Sequence, residues 1–178
     1  MANEMNWNQR YRQAHNTWCK RISPAFYEAS GGDTMKVNFP KVTSSNGLTT
    51  AILKFLEWEG HHSDRTNNMG RPVEKFAPKV NLFTQKVEQV AAGFDWQKGT
   101  GTKGTSDIKA DLVHANYRFP IPVKIEVKWN KDRMSDDQKD YRQMVESKGG
   151  VYVVVKSIQG FFDWYDGFML SLGNDSVS

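Results

Sequence analysis

Cysteine is all but missing. Cys19 stands alone in 178 residues, so the chain can form neither an intramolecular disulfide nor a CxxC zinc pattern. Long apolar runs are missing too. Nowhere do about 18 consecutive apolar residues occur, so no membrane span and no membrane partner are expected. No charged-then-apolar leader opens the sequence, and with one cysteine this points to an intracellular, cytoplasmic, reducing compartment in a bacterial or phage-infected cell. Neither GxxxxGK[ST] nor GxGxxG occurs, which argues against a nucleotide cofactor.

What is there describes a folding chain of ordinary domain size. A hydrophobic fraction of 38% with 25% charged residues lies well short of the disordered range. The net charge of +4 permits a polyanionic partner without demonstrating one. Its excess falls in residues 1–45, where six Lys/Arg meet three acids.

Residues 1–45 read as an N-terminal extension that is partly helical. Its Trp7, Tyr11 and Trp18 interleave with Arg10, Arg12 and Lys20. These side chains either dock the arm on the domain or a second subunit, or stack on bases and meet phosphates. The main domain is expected over 46–172, with 173–178 as a disordered tail.

From Asn46, Leu48, Ile52, Phe55 and Leu56 fall at i, i+4, i+7 and i+8, the stripe of an amphipathic helix that Gly60 stops. The polar HHSDRTNNMGRP stretch reads as a loop, with His61 and His62 as surface histidines. Val73–Ala92 fits helix or strand, a short strand is expected near Phe94–Lys98, and the glycine-rich KGTGTKGTSD follows as a loop. Ile108, Ala110 and Leu112 alternate with Asp107, Lys109 and Asp111; Val123, Ile125 and Val127 alternate with Lys124, Glu126 and Lys128. Both runs read as half-buried strands of an antiparallel hairpin. Ser135 to Gln138 has the form of a capping box opening a helix that Gly149 and Gly150 close. VYVVVK is expected as a central strand buried on both faces, and the aromatic-rich Phe161–Met169 segment as a helix covering the sheet.

In an antiparallel pair, opposed residues have a constant index sum. A hairpin centred between Asn116 and Tyr117 sets Asp107 opposite Glu126, with Lys128 on the same face two residues further. Opposed carboxylates repel and invite a cation. Mg²⁺, with its preference for oxygen ligands and retained waters, suits them. Lys128 beside it would serve as a fixed positive charge or proton handler, a set suited to metal-assisted phosphodiester hydrolysis. An ordinary solvated strand face is the competing reading, and the same register opposes Lys109 to Lys124.

GTSDI, IEVKW, DRMSDDQKDY and GGVYVVVKS, in that order, resemble the PD-(D/E)XK nuclease superfamily, and within it the small VRR-NUC branch, over roughly Asn46 to Trp164. The resemblance implies an α/β fold with a restriction-endonuclease-like core, a mixed central β-sheet flanked by helices. It implies Asp107 and Glu126 as Mg²⁺ ligands, with Mn²⁺ able to substitute, the Val127 carbonyl as a further ligand, and Lys128 as the catalytic lysine. Gln138 matches the family's helix glutamine near the site, and it is equally the capping-box partner of Ser135. Arg65, Asn67 and Arg71 match a segment that lines the DNA path, or form a solvated loop; Lys103 is a further candidate for nucleic-acid contact. Many relatives carry an acid on the first helix where this chain has Asn46, while Glu57 reads as a surface residue. The function implied is a Mg²⁺-dependent, structure-selective deoxyribonuclease of replication, repair or recombination, with a homodimer needed for junction cleavage. The alternative is a catalytically degenerate nucleic-acid-binding module on the same fold.

Overall fold

A computed structural model describes residues 6–66, 71–80, 86–97 and 102–174, without the side chains of Arg71, Glu88 and Asn174. Among these residues the helices are α1 (Trp7–Ile22), α2 (Pro24–Ala29), α3 (Ser45–Glu59), α4 (Asp136–Ser147) and α5 (Ile158–Asn174). The strands are β1 (His62–Arg65), β2 (Arg71–Val80), β3 (Val87–Gln97), β4 (Ile108–Leu112), β5 (Ile121–Val127) and β6 (Val151–Val155). A four-stranded sheet runs in the order β1-β4-β5-β6, and β2 and β3 form a separate two-stranded ribbon. The sheet is mixed: β1, β4 and β5 pair antiparallel, while β6 joins β5 in parallel after a crossover through α4.

The period-2 alternation of β4 and β5 divides the sheet into two chemical faces. Ile108, Ala110, Leu112, Val123, Ile125 and Val127 are buried in one core with the α3 stripe Leu48, Ile52, Phe55 and Leu56 and with Phe161, Phe162 and Tyr165 of α5. All four α3 stripe residues have no exposed surface, and each such side chain contributes roughly 1.5–3 kcal/mol by burial. Ser44 caps α3 by accepting from the Gly47 N–H, and Gly60 ends it at φ 90°, the left-handed region that glycine enters without strain.

Residues 7–22 are not a free arm. Tyr11 and Ala14 of α1 are buried in the core, and Tyr11 meets Trp58 edge-on at 4.7 Å. Arg10 bridges Glu59 at 2.9 Å and Asp166 at 3.2 Å, tying α1 to both α3 and α5. Arg12 donates to the Met35 carbonyl at 3.0 Å. These basic and aromatic groups are thus engaged in docking on the domain.

Several sequence expectations need correction. VYVVVK is β6, a strand at the sheet edge with half-buried residues, not a central one; its apolar run reflects α4 and α5 packing on it. The segment read as a polar loop contains β1, an edge strand that tolerates polar residues because little of it is covered. The strand expected near 94–98 begins at Val87 and pairs with β2 over most of its length, so the described parts of the ambiguous 73–92 segment, 73–80 and 87–92, are ribbon strands, while residues 81–85 and 98 lie outside the described residues. His61 is buried, not a surface residue. Of the tail expected over 173–178, Gly173 and Asn174 are instead the end of α5, and residues 175–178 lie outside the described residues. No helix among the described residues is long and apolar enough to cross a membrane.

The His61 ring links three elements. Its Nδ1 accepts from the Val113 N–H at 3.1 Å, which leaves Nε2–H to donate to the Tyr165 hydroxyl at 2.7 Å. Burial lowers its pKa to about 4, so the folded protein holds it neutral. The unfolded chain takes up this proton below about pH 6.5, so the stability His61 contributes is present above that pH and is lost as pH falls towards 4. Urea midpoints measured between pH 7.5 and 4.5 should fall more steeply for the wild type than for His61→Gln.

Candidate active site

Asp107 immediately precedes β4, and the β4–β5 register, with Ile108 opposite Ile125 and Lys109 opposite Lys124, extends to set Asp107 level with Glu126. The Asp107 Oδ2 accepts the Val127 N–H at 2.8 Å. No hydrogen bond from another described residue reaches its Oδ1. The N–H and C=O of one strand residue point to the same side, so the Val127 carbonyl also faces the Asp107 end of the pair.

Glu126 and Lys128 lie on the face opposite the apolar core, yet they are 1% and 5% exposed. That excludes a solvated strand face. Lys128 Nζ lies 2.9 Å from Glu126 Oε1, donates to Gln138 Oε1 at 2.8 Å, and lies 3.5 Å from Asp132. Asn130, in the left-handed region at φ 52° that asparagine tolerates, turns the chain so that Asp132 returns to Lys128. Gln138 Nε2 donates to Glu126 Oε1 at 2.6 Å, and the Tyr152 hydroxyl donates to Oε2 at 3.4 Å.

Gln138 does both jobs that its sequence context suggested. Ser135 and Gln138 form a reciprocal capping box at the start of α4, and the same Oε1 that accepts the Ser135 N–H at 3.0 Å also accepts from Lys128. Fixing the helix start therefore fixes the amide against the ion pair.

The electrostatics follow from this crowding. Burial, together with the charge of Asp107, holds the Glu126 carboxyl above its ordinary pKa although Lys128 pulls it down. For Lys128, burial lowers the pKa but contact with Glu126 and Asp132 outweighs it, so the ammonium is held charged. Burial and Glu126 push the Tyr152 phenol up, leaving it a neutral donor.

A cavity of about 830 Å³ opens here, lined among others by Asn46, Arg65, Thr66, Asp107, Ser135 and Gln138. It brings together the N-terminal ends of α3 and α4. Arg65, which also lines the cavity, donates to Asn46 Oδ1 at 2.6 Å. The hydroxyl of Thr66 is buried without a hydrogen-bond partner among the described residues. Gly104, at φ 72°, passes so close to α4 that a Cβ there would sit 2.1 Å from the Asp137 carbonyl oxygen; the loop's close backbone approach is to this helix. Another, shallower hollow of about 310 Å³ lies along α1, remote in sequence from these groups.

Of the expected site residues, Asp107, Gln138 and Arg65 line the cavity; Glu126, Val127 and Lys128 do not line it and join them through direct contacts, Glu126 and Lys128 with Gln138 and the Val127 N–H with Asp107. Lys103 is exposed in the preceding turn and does not line it. Arg71 begins the ribbon, and Asn67 lies outside the described residues. Glu57 is exposed on α3, the surface position expected of it. Sequence reasoning missed Tyr152 and Asp132. Tyr152 carried a signal, being the one hydroxyl-bearing residue in an otherwise aliphatic strand; Asp132 carried none.

Compared with known proteins, the chain matches no family model, no curated protein and no solved structure.

A buried carboxylate stripped of its cation is costly. Lys128→Met should lower unfolding free energy by about 3 kcal/mol, measured by urea denaturation, whereas Glu126→Gln/Lys128→Met should recover most of that loss. Gly104→Ala should displace α4 and weaken the Gln138 contacts, read as lost stability together with slower recovery of native near-UV dichroism.

Proposed function

We propose that the protein is a divalent-metal-dependent deoxyribonuclease of the PD-(D/E)XK kind, nearest in character to the VRR-NUC branch. The observation that carries this reading is the contact of Glu126 and Lys128 with Gln138, which together with Asp107 lines a cavity of about 830 Å³. A solvated strand face would have left these groups apart and exposed.

The donor set fits Mg²⁺, with Mn²⁺ as a substitute. It consists of hard oxygens from two carboxylates and the Val127 carbonyl. The raised pKa of Glu126 beside Asp107 marks an anionic pair that a cation would relieve. Bound there, the ion supplies Lewis-acid stabilisation of a phosphate and a more acidic water.

The chain's own residues supply the rest. Lys128 is held charged and braced on three sides, which suits it to stabilising negative charge on a phosphate and not to accepting a proton at neutral pH. Gln138 orients both Lys128 and Glu126, and Tyr152 holds the remaining Glu126 oxygen. Arg65 presents a cation on the cavity wall, where a neighbouring phosphate of the same strand would lie. The substrate is DNA, with branched or flapped forms favoured by the family resemblance, and the role one in replication, repair or recombination.

One observation favours the rival reading, a binding module that has lost catalysis. At the start of α3, where many relatives place an acid towards the metal, this chain has Asn46, hydrogen-bonded to Arg65.

Cleavage of labelled single-stranded, duplex, flapped and four-way-junction DNA distinguishes the two. The nuclease reading expects cutting with Mg²⁺ or Mn²⁺, none in EDTA, and losses of at least ~10²-fold in Asp107→Ala and in folded Lys128→Ala. DNA binding unchanged by EDTA, with no cutting by the wild type, would establish the binding module instead.

A further inference from the structure

The ribbon β2–β3 is the largest part of the described chain that packs on nothing but itself. Its strands run to 10 and 11 residues. Its register pairs Pro72 with Trp96, Glu74 with Phe94, Phe76 with Ala91 and Val80 with Val87, with one irregularity between Glu74 and Phe76. Gly93, at φ 104°, absorbs the extra residue on β3 at that point, as a β-bulge requires.

Opposed residues share a face, so the two sides of the ribbon differ sharply. One side carries Lys75 against Asp95 at 3.9 Å and Lys79, beside the partly exposed Val73 and Val90. The other carries Trp96, Phe94 and Phe76, which are 60%, 72% and 55% exposed, together with Val80 and Val87. On that second side Glu74 is the one charge and Gln89 the one amide.

A two-stranded ribbon is marginal in water unless its apolar face is covered, and no described residue of the same chain covers this one. Its five large side chains expose on the order of 600 Å² of apolar surface, since aromatics carry 150–250 Å² each. That is at the top of the range for the largest patch a soluble monomer leaves open, where such patches commonly mark interaction sites. Two such faces brought together would remove about 1,200 Å², the lower bound for a specific interface. Nucleic acid is a poor occupant, because the face holds no lysine or arginine to meet phosphate.

We infer that this face is a dimerisation surface, covered by the same ribbon of a second copy of the chain. In a two-fold arrangement centred on Phe76, the level of Glu74 and Phe94 meets the level of Pro78 and Gln89 in the other copy. The lone carboxylate then receives the lone amide, and the remaining contacts are apolar. The inference stands independently of whether the cavity cleaves DNA.

Sedimentation equilibrium of the full chain tests it. The wild type should be a dimer with a micromolar dissociation constant. Phe94→Ser/Trp96→Ser should raise that constant at least ~30-fold while near-UV dichroism of the core stays native. Should that variant misfold, Glu74→Lys carries the test: alone it should weaken the dimer, and Glu74→Lys/Gln89→Glu should restore it by reversing the pair. A wild type that remains monomeric at about 100 µM would overturn the inference. So would a dimer that neither Phe94→Ser/Trp96→Ser nor Glu74→Lys weakens. A monomer that loses single-stranded DNA binding on Trp96→Ser would assign the face to nucleic acid.

Discussion

A charged lysine and a buried glutamate share one side of a β-strand, and the surrounding structure is arranged to make that tolerable. Taking either ion out of water costs several kcal/mol, and the attraction between them repays this only when their other hydrogen-bonding positions are filled. Here they are filled from three directions: Gln138 from α4, Tyr152 from β6 and Asp132 from the turn after β5. Each of those elements is therefore held to a narrow position by the ion pair as much as the ion pair is held by them.

That mutual dependence explains the placement of α4. The helix does not fill a greasy groove; none of its residues is fully buried. It is located by its first turn, where the capping box and the ion pair share one amide oxygen, and by the Gly104 loop, which passes within a distance only glycine permits. The opposite face of the sheet works differently. There α1, α3 and α5 interlock aromatic and aliphatic side chains around β4 and β5, and the stiffness of that close-packed core keeps the strand register from slipping. A slip of one residue would move Glu126 and Lys128 into the core and expel Ile125 and Val127.

Charge is used economically on this scaffold. Arg10 is committed to joining three helices and Arg12 to a backbone carbonyl, so these two cations of the first 45 residues serve packing. Arg65, by contrast, lies on the cavity wall with Asn46 as its one hydrogen-bond partner among the described residues. Lys128 and Arg65 thus stand at the Asp107 end of the sheet, while Phe76, Phe94 and Trp96 are exposed on the ribbon.

What the sequence alone determined was whatever repeats with a local period or closes within a few residues. The stripe of α3, the Ser135–Gln138 cap, the alternation of β4 and β5, and their register through the constant index sum of a short hairpin all belong here, and with the register came the alignment of Asp107, Glu126 and Lys128. Tertiary structure decided what depends on partners distant in the chain. The edge position of β6, the docking of α1, the burial of His61 against Tyr165, the arrival of Tyr152 at Glu126 and the pairing of β2 with β3 carry no periodic signature. The double duty of Gln138 shows the boundary most clearly: its cap is written in four consecutive residues, but its contact with Lys128 exists only because the sheet brings β5 beneath the helix start.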